Sequence, residues 1–215
     1  MLRDISNLRK SYSKNSLTEK DLPEDPFFLF DIWFKEVSSK NSKSEVNAMT
    51  LSTIGLSGYP NGRIVLLKYY SHDGFVFFTN YNSNKAASID QNNKVSISFF
   101  WEESERQVII KGFASRTSDD FSTKYFNSRP KGSKLGALVS ENQSSIIKSK
   151  DYIVKKFNEL SKEYSNKEIS RPNNWGGYII KPIQYEFWQG GENRLHDRIR
   201  YSKIDDSWIS ERLSP

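Results

Sequence analysis

Cysteine is absent from the 215 residues, which excludes disulfides, zinc-cysteine centres, iron–sulfur clusters and thiol nucleophiles together. Histidine occurs only twice, too sparsely for the imidazole-rich ligand sets of most transition-metal sites, so no metal is expected. No run approaches the roughly 18 apolar residues that a membrane-spanning helix needs. The polar stretch 1–11 leads into no apolar block of the kind a secretory signal carries. A soluble, cytoplasmic protein with no membrane partner is therefore expected. Rossmann and Walker glycine patterns are missing, and no serine stands in a nucleophile-elbow context. Without a secretion signal, the Asn142-Gln143-Ser144 sequon is incidental.

What is present suits a globular chain. Hydrophobic residues make up 36% and aromatics 14%, enough to exclude disorder outside the ends. At roughly 150 residues per domain, the length allows one large domain or two small ones. The 32 Lys+Arg against 26 Asp+Glu leave a net charge of +6, which favours anionic partners: nucleic acid, a membrane surface or small phosphorylated ligands.

Asp25 followed by Pro26 predicts a helix start, and Phe27, Phe30, Trp33, Phe34 and Val37 recur on one helical face. The Ser/Asn/Lys-rich stretch 38–44 predicts a loop. β-rich runs follow at 49–54, 63–70, 75–79, 95–100 and 107–113, with Asn61-Gly62 and Asp73-Gly74 placed to make hairpin turns. Residues 119–164 turn helical, with Ile146, Ile147, Ile153, Val154, Phe157, Leu160 and Tyr164 forming one stripe of a solvated helix packed on the sheet. Strands return at 178–180, 185–188, 198–201 and 208–209. Because β-runs lie on both sides of the helical block, a mainly β fold with flanking α-helices, closed as a single barrel, is the simplest architecture.

Four clusters carry chemistry. Arg63 and Lys68 bracket an apolar run, and on one regular strand their odd separation puts them on opposite faces; a buried strand with charged ends gives the same string. Phe78-Thr79 and Ser83-Asn84-Lys85 place a hydroxyl and a lysine after a strand end, which suits a dianionic phosphate and also describes a common surface turn. Tyr125 and Arg129 share a helical face, with Ser133 one turn further if the helix continues; Pro130 argues that it stops. Finally, Trp188 leads through Gly190-Gly191 to Arg194, His196 and Arg198, which would alternate onto one side of a strand. Three such groups on one face call for an anion. His72, beside the Asp73-Gly74 turn, reads as an exposed turn residue.

These segments resemble the pyridoxamine 5′-phosphate oxidase family. The resemblance runs through Leu8-Arg9-Lys10-Ser11-Tyr12, Asp21-Leu22-Pro23-Glu24-Asp25-Pro26, the run from Arg63 to Lys68, Glu105-Arg106-Gln107-Val108, the run from Tyr125 to Pro130, Trp175-Gly176-Gly177, the run from Glu186 to Arg198 and Glu211-Arg212-Leu213-Ser214-Pro215. It implies an FMN-binding split β-barrel that forms a homodimer with FMN at the subunit interface. Residues 1–20 would be a flexible N-terminal segment acting as an active-site lid. Residues 21–215 would be one domain that includes the C-terminal dimerisation and active-site region.

By position, the resemblance implies that FMN is held by Arg63, Ile64, Val65, Lys68, Phe78, Thr79, Lys85, Gln107, Gln143, Ser144, Trp188 and Arg198. The substrate phosphate would meet Lys68, Tyr125, Arg129 and Ser133. Arg194 and His196 would be the catalytic pair against the pyridine ring and its amine, and Arg9 and Tyr12 would belong to the lid. The implied reaction converts pyridoxamine 5′-phosphate or pyridoxine 5′-phosphate to pyridoxal 5′-phosphate, with hydride passing to the flavin and O2 reduced to H2O2; the amine substrate also releases ammonia. Two dianionic phosphates account for basic groups near so many strand ends, and the cofactor carries the difficult step. Two departures stand out. Asn84 replaces an arginine that often precedes the phosphate-binding lysine, removing a bidentate contact, and Ser11 stands where an acidic residue often precedes the tyrosine.

Two other classes fit parts of the pattern. A flavin reductase or haem-binding relative would share the barrel but needs no second anion pocket. A basic barrel that binds nucleic acid would use exposed aromatics and lysines; with the resemblance, no nucleic-acid partner is expected.

Overall fold

The computed structural model describes residues 2–39 and 45–215. Helix α1 (Pro26–Ser39) starts where Asp25 and Pro26 predict it: the Asp25 carboxylate accepts the Phe27 N–H at 2.8 Å. Its inward face is Leu29, Phe30, Trp33 and Val37, with Phe27 and Phe34 half-buried beside it. Ser38 and Ser39 are helical rather than loop, and the rest of that stretch, 40–44, lies outside the described residues.

Strand β1 (Ala48–Ile54) buries Met49, Leu51 and Thr53 in strict alternation. The turn that follows is not at Asn61-Gly62, which lie inside β2 (Pro60–Leu66). It closes earlier: Gly55 N–H donates to Tyr59 O and Gly58 N–H to Gly55 O, both at 2.8 Å. Gly58 supplies the positive φ of +83° that this turn requires. The run expected at 63–70 is divided. β2 ends at Leu66, and buried Leu67 and exposed Lys68 lead into β3 (Tyr69–Ser71). Arg63 and Lys68 therefore do not share one regular strand, and the opposite-face expectation fails with its premise. β3 pairs with β4 (Gly74–Asn80) in a tight hairpin, with Ser71 opposite Gly74, as Asp73-Gly74 predicts. His72 is exposed in its turn.

Helix α2 (Asn84–Gln91) precedes β5 (Lys94–Trp101), whose Val95, Ile97, Phe99 and Trp101 are buried, and β6 (Arg106–Arg116). Helix α3 (Asp119–Ser128) stops before Arg129-Pro130, and α4 (Lys131–Val139) restarts beyond it. Ile146 and Ile147 are not on the stripe assigned to them: α5 (Lys150–Glu163) begins only after Ser149 caps it, and both isoleucines are exposed before it. The true stripe is shorter, with Phe157, Leu160 and Tyr164 packed against Phe126, Leu135, Ile169 and Trp175.

The two strands expected at 178–180 and 185–188 are one, β7 (Trp175–Gln189), which runs unbroken through buried Pro182. Its first part pairs with β4, Phe78 opposite Gly177. Its second part pairs with β8 (Asp197–Ile204), Trp188 opposite Arg198, and β8 pairs with β9 (Ser207–Leu213). The sheet order is β2-β1-β5-β6-β7-β4-β3, with β8 on β7 and β9 on β8. Among the described residues this makes nine strands and five α-helices, the mainly β architecture expected.

The chain forms two compact units. One comprises Met1–Thr50, Ser96–Lys111 and Pro182–Pro215; the other comprises Leu51–Val95 and Gly112–Lys181. In the first unit Arg106 donates to Glu36 and to Gln189 and lies 4.4 Å from the Trp33 ring. No helix among the described residues is long and apolar enough to cross a membrane.

Candidate active site

In the unit containing β3 and β4, a cavity of about 460 Å³ is lined by Ile64, Val65, Lys68, Phe78, Thr79, Lys85, Gln143, Tyr125, Arg129 and Ser133. These are ten of the expected site residues. Leu66, Pro130 and Trp175 complete the lining.

Each arrives by a local rule. The end of β2 frees Lys68, whose N–H donates to Val76 O at 2.8 Å. Ser83 caps α2 through the Ala86 N–H, and Lys85 in the first turn reaches back to Thr79 Oγ1 and Gln143 Oε1, both at 3.2 Å. Ser144, at φ +76°, accepts the Asn84 N–H at 3.3 Å. It lies outside this lining, in a second cavity of about 490 Å³ that Gln143 also touches. The break at Pro130 returns Ser133 to the cavity on a new helix instead of carrying it along α3.

One wall is aromatic: Tyr125 stacks on Phe78 at 4.0 Å and Phe78 on Trp175 at 5.4 Å. Arg129 lies 4.6 Å from the Trp175 ring. Its buried Nη1 has no hydrogen-bond partner among the described residues. Arg63 donates from Nη1 to Leu51 O at 3.1 Å and to Thr53 Oγ1 at 2.9 Å, and it does not line the cavity.

The electrostatics point one way. Burial pulls Arg129 below its ordinary pKa, burial and then the charge of Arg63 pull Lys85 down, and burial pushes the Tyr125 phenol up. Among the described residues no carboxylate lines the cavity. Partly desolvated cations without a counter-charge make a receptor for an anion.

In the other unit, Arg9, Tyr12, Arg194 and His196 share a separate cavity of about 460 Å³ with Leu8, Lys10, Ser11, Gly191 and Asn193. Tyr12 meets Trp188 edge-on at 5.6 Å and His196 at 6.0 Å, and Trp188 and His196 are 4.7 Å apart. Gly191 N–H donates to His196 Nδ1 at 3.1 Å. The expected alternation of Arg194, His196 and Arg198 along one strand does not occur. β8 begins only at Asp197, and Arg194 belongs to a 3₁₀ turn in which Asn193 and Arg194 take positive φ. Arg198 turns its Nε and Nη2 to Glu186 Oε1, at 3.0 and 2.8 Å, and its Nη1 to Ser214 O at 2.8 Å. Arg9 bonds locally to Ser6 O, and Gln107 is half-buried on β6.

Sequence reasoning missed Trp175 as a site residue. Its signal was the Gly176-Gly177 pair behind it: a Cβ on Gly177 would crowd Phe78 and Thr117.

The family profile described as pyridoxamine 5′-phosphate oxidase matches residues 39–163, and that of the pyridoxine 5′-phosphate oxidase C-terminal dimerisation region matches residues 175–215. The chain belongs to the pyridoxamine 5′-phosphate oxidase family. Among its relatives, the pyridoxine/pyridoxamine 5′-phosphate oxidase of Flavobacterium johnsoniae is 56% identical over 99% of this chain and 100% of the relative. That of Flavobacterium psychrophilum is 52% identical over the whole of both. The split-barrel fold of the family is shared with PhzG from Burkholderia lata, at a TM-score of 0.87 and 24% identity over 94% of this chain and all of that one. It is shared as well with a pyridoxamine 5′-phosphate oxidase-related, FMN binding protein from Nostoc punctiforme, at a TM-score of 0.70 and 17% identity over 90% of this chain and all of that one.

Proposed function

We propose that this protein is an FMN-dependent oxidase of pyridoxamine 5′-phosphate and pyridoxine 5′-phosphate, producing pyridoxal 5′-phosphate and H2O2 from O2. The observation that carries this reading is the cavity in which Lys68, Lys85 and Arg129 converge with no carboxylate and with one guanidinium nitrogen of Arg129 unsatisfied. Such a donor set fits a dianionic phosphate.

FMN fits the residues present: Lys85, Thr79 and Gln143 offer donors at one part of the cavity, Phe78 an apolar wall, and Ile64 and Val65 backbone groups on β2. Arg63, Ser144, Gln107, Trp188 and Arg198 belong to the same assignment. In a homodimer, which the match to a dimerisation region supports, they would come from either copy. Bound FMN supplies the two-electron acceptor that oxidises the carbon bearing the amine or alcohol and passes the electrons to O2.

The chain's own residues bind and orient. Lys68, Tyr125, Arg129 and Ser133 take the substrate phosphate, and Arg129 Nη1 gains its missing acceptor there. His196, with Nδ1 occupied by Gly191 N–H, turns Nε2 to the substrate as its proton-handling atom, and Arg194 fixes the pyridine ring. Arg9 and Tyr12, in residues 1–20, exclude water as a lid over the single catalytic domain 21–215. A cytoplasmic location goes with this role.

The test is the visible spectrum of the FMN-loaded protein under anaerobic conditions. Pyridoxamine 5′-phosphate should bleach the flavin band and air should restore it. A bound flavin that stays oxidised would reject the substrate assignment. Failure to bind flavin would reject the cofactor.

A further inference from the structure

Glu105 stands at the end of a 3₁₀ turn (Glu102–Ser104), immediately before β6, in the left-handed conformation at φ 55°, ψ 41°. It is 3% exposed. A buried non-glycine residue in that region persists only where its surroundings fix it, and here they do. Its N–H donates to Glu102 O at 3.0 Å, and its carbonyl accepts Gly190 N–H at 2.7 Å and Gln189 Nε2 at 3.2 Å. Gln189 is itself held by Arg106 Nε at 2.8 Å.

The carboxylate so aimed has no ion-pair partner among the described residues. It accepts two backbone amides, Ser13 N–H at 2.9 Å and Lys14 N–H at 3.0 Å. The same turn also takes Lys14 Nζ on Glu103 O and Lys10 Nζ on Glu102 Oε1. Between these anchors, Tyr12 lies on Gly190, where a Cβ would come within 2.7 Å of Tyr12 Cβ. From there its ring reaches Trp188 and His196.

We propose that Glu105 is a positioning residue for the oxidase reaction, latching the N-terminal segment so that Tyr12 and Arg9 wall the cavity that holds Arg194 and His196. This rests on reading that cavity as part of the oxidase site. The residues from Ser13 to Ser16 are exposed and bury no apolar side chain of their own. Buried Leu17, with its N–H on Asp197 Oδ2, anchors the far end of this stretch. At its Tyr12 end the path is held by hydrogen bonds to the Glu102–Glu105 turn, of which those to the buried Glu105 carboxylate are the strongest kind. Gly190 completes the latch by leaving room for Tyr12.

The experiment compares wild type, Glu105→Ala and Glu105→Gln as FMN-loaded full-length proteins, by hydrogen–deuterium exchange and by steady-state kinetics with pyridoxamine 5′-phosphate. In Glu105→Ala, exchange over residues 10–17 should rise about tenfold while β6 keeps its protection. KM should rise about fivefold or more, with a smaller change in kcat and unaltered FMN affinity. Glu105→Gln, which keeps an acceptor oxygen, should recover most of both. Unchanged exchange over residues 10–17, or a rise spread equally along β6, overturns the proposal. If Glu105→Ala does not fold, Gly190→Ala serves in its place. Its backbone lies outside the left-handed region, so alanine is allowed by the backbone and the added methyl presses on Tyr12 at 2.7 Å and on Glu105 Cβ at 3.1 Å; unchanged exchange there overturns the latch too. A wild type that does not oxidise the substrate removes the oxidase reading, while the exchange comparison still decides the latch.

Discussion

The backbone N–H of Gly191 points at Nδ1 of His196 across 3.1 Å. An accepting Nδ1 carries no proton, so the neutral ring keeps its hydrogen on Nε2 and presents that edge for work. In His196→Asn the amide oxygen stands near the Nδ1 position and can still accept Gly191 N–H, but nothing replaces Nε2. Its kcat/KM should fall about tenfold or more, equivalent to about 1.4 kcal/mol, with the melting temperature held. In His196→Ala both should fall. Equal activity in Asn and wild type would place the chemistry elsewhere.

Arg129 gives opposite signs for binding and stability. Its Nη1 is buried without a hydrogen-bond partner among the described residues, and the guanidinium lies over Trp175. Arg129→Met should raise KM for the phosphorylated substrate at least about tenfold through loss of a charge-assisted pair. The ligand-free protein should become more stable by about 1 kcal/mol, because an unsatisfied buried donor is removed. Urea denaturation without ligand, set beside initial rates, measures both.

Lys85 should leave a signature in pH. Burial and Arg63 hold its pKa below the ordinary 10.5, so between its lowered value and 10.5 the folded state binds fewer protons than the unfolded chain. The ligand-free protein therefore gains stability as pH rises into that window. An FMN phosphate beside Lys85 restores the proton and removes or inverts the slope. Thermal melts kept below about pH 9, where tyrosine phenols stay largely protonated in both states, should show this for ligand-free wild type. Lys85→Met should lose this contribution, so that its stability rises less with pH than that of wild type over the same range.

Gly74 sets the β3–β4 hairpin. It takes φ +143°, and a Cβ there would run into the carbonyl oxygen of Ile180 on β7. Gly74→Ala should cost about 3 kcal/mol by combining a disallowed backbone with a steric clash against backbone. Because β4 carries Phe78 and Thr79 into the cavity, FMN affinity should fall with it. A shift of the denaturation midpoint smaller than that of Gly58→Ala, where a Cβ meets open space, would contradict this account.

The elements that local chemistry specifies were legible in the sequence: the Asp25-Pro26 helix start, the alternation of Val95, Ile97 and Phe99, and the stop at Pro130. Errors arose where two local signals competed. Asn61-Gly62 reads as a hairpin turn, but the positive φ is needed at Gly58, which puts Asn61 in the strand. Ile146 and Ile147 fit a helical period, yet the Ser149 cap decides where α5 begins. The anion cavity was legible as separate basic clusters, because lysines and arginines near strand ends are visible one by one. The role of Trp175 and the carboxylate latch of Glu105 depend on residues 46 to 92 positions away in sequence, and no period or motif reports contacts of that span.

The unit that carries Tyr12 and His196 is assembled from three separated stretches of chain. Its closing contacts are among the longest in sequence: Leu17 N–H to Asp197, the Tyr201 hydroxyl to Pro23 O, and Arg212 to Glu19. On the ribosome, where the chain emerges N-terminus first, residues 51–95 and 112–181 are complete while the partners of Leu17, Glu19 and Pro23 are still untranslated. The first residues made therefore wait for the final strands, and loop closure over nearly the whole chain makes their docking the slow event of folding. A nascent chain stalled just after Lys181 would hold every residue that lines the cavity of Lys68, Lys85 and Arg129 but not His196.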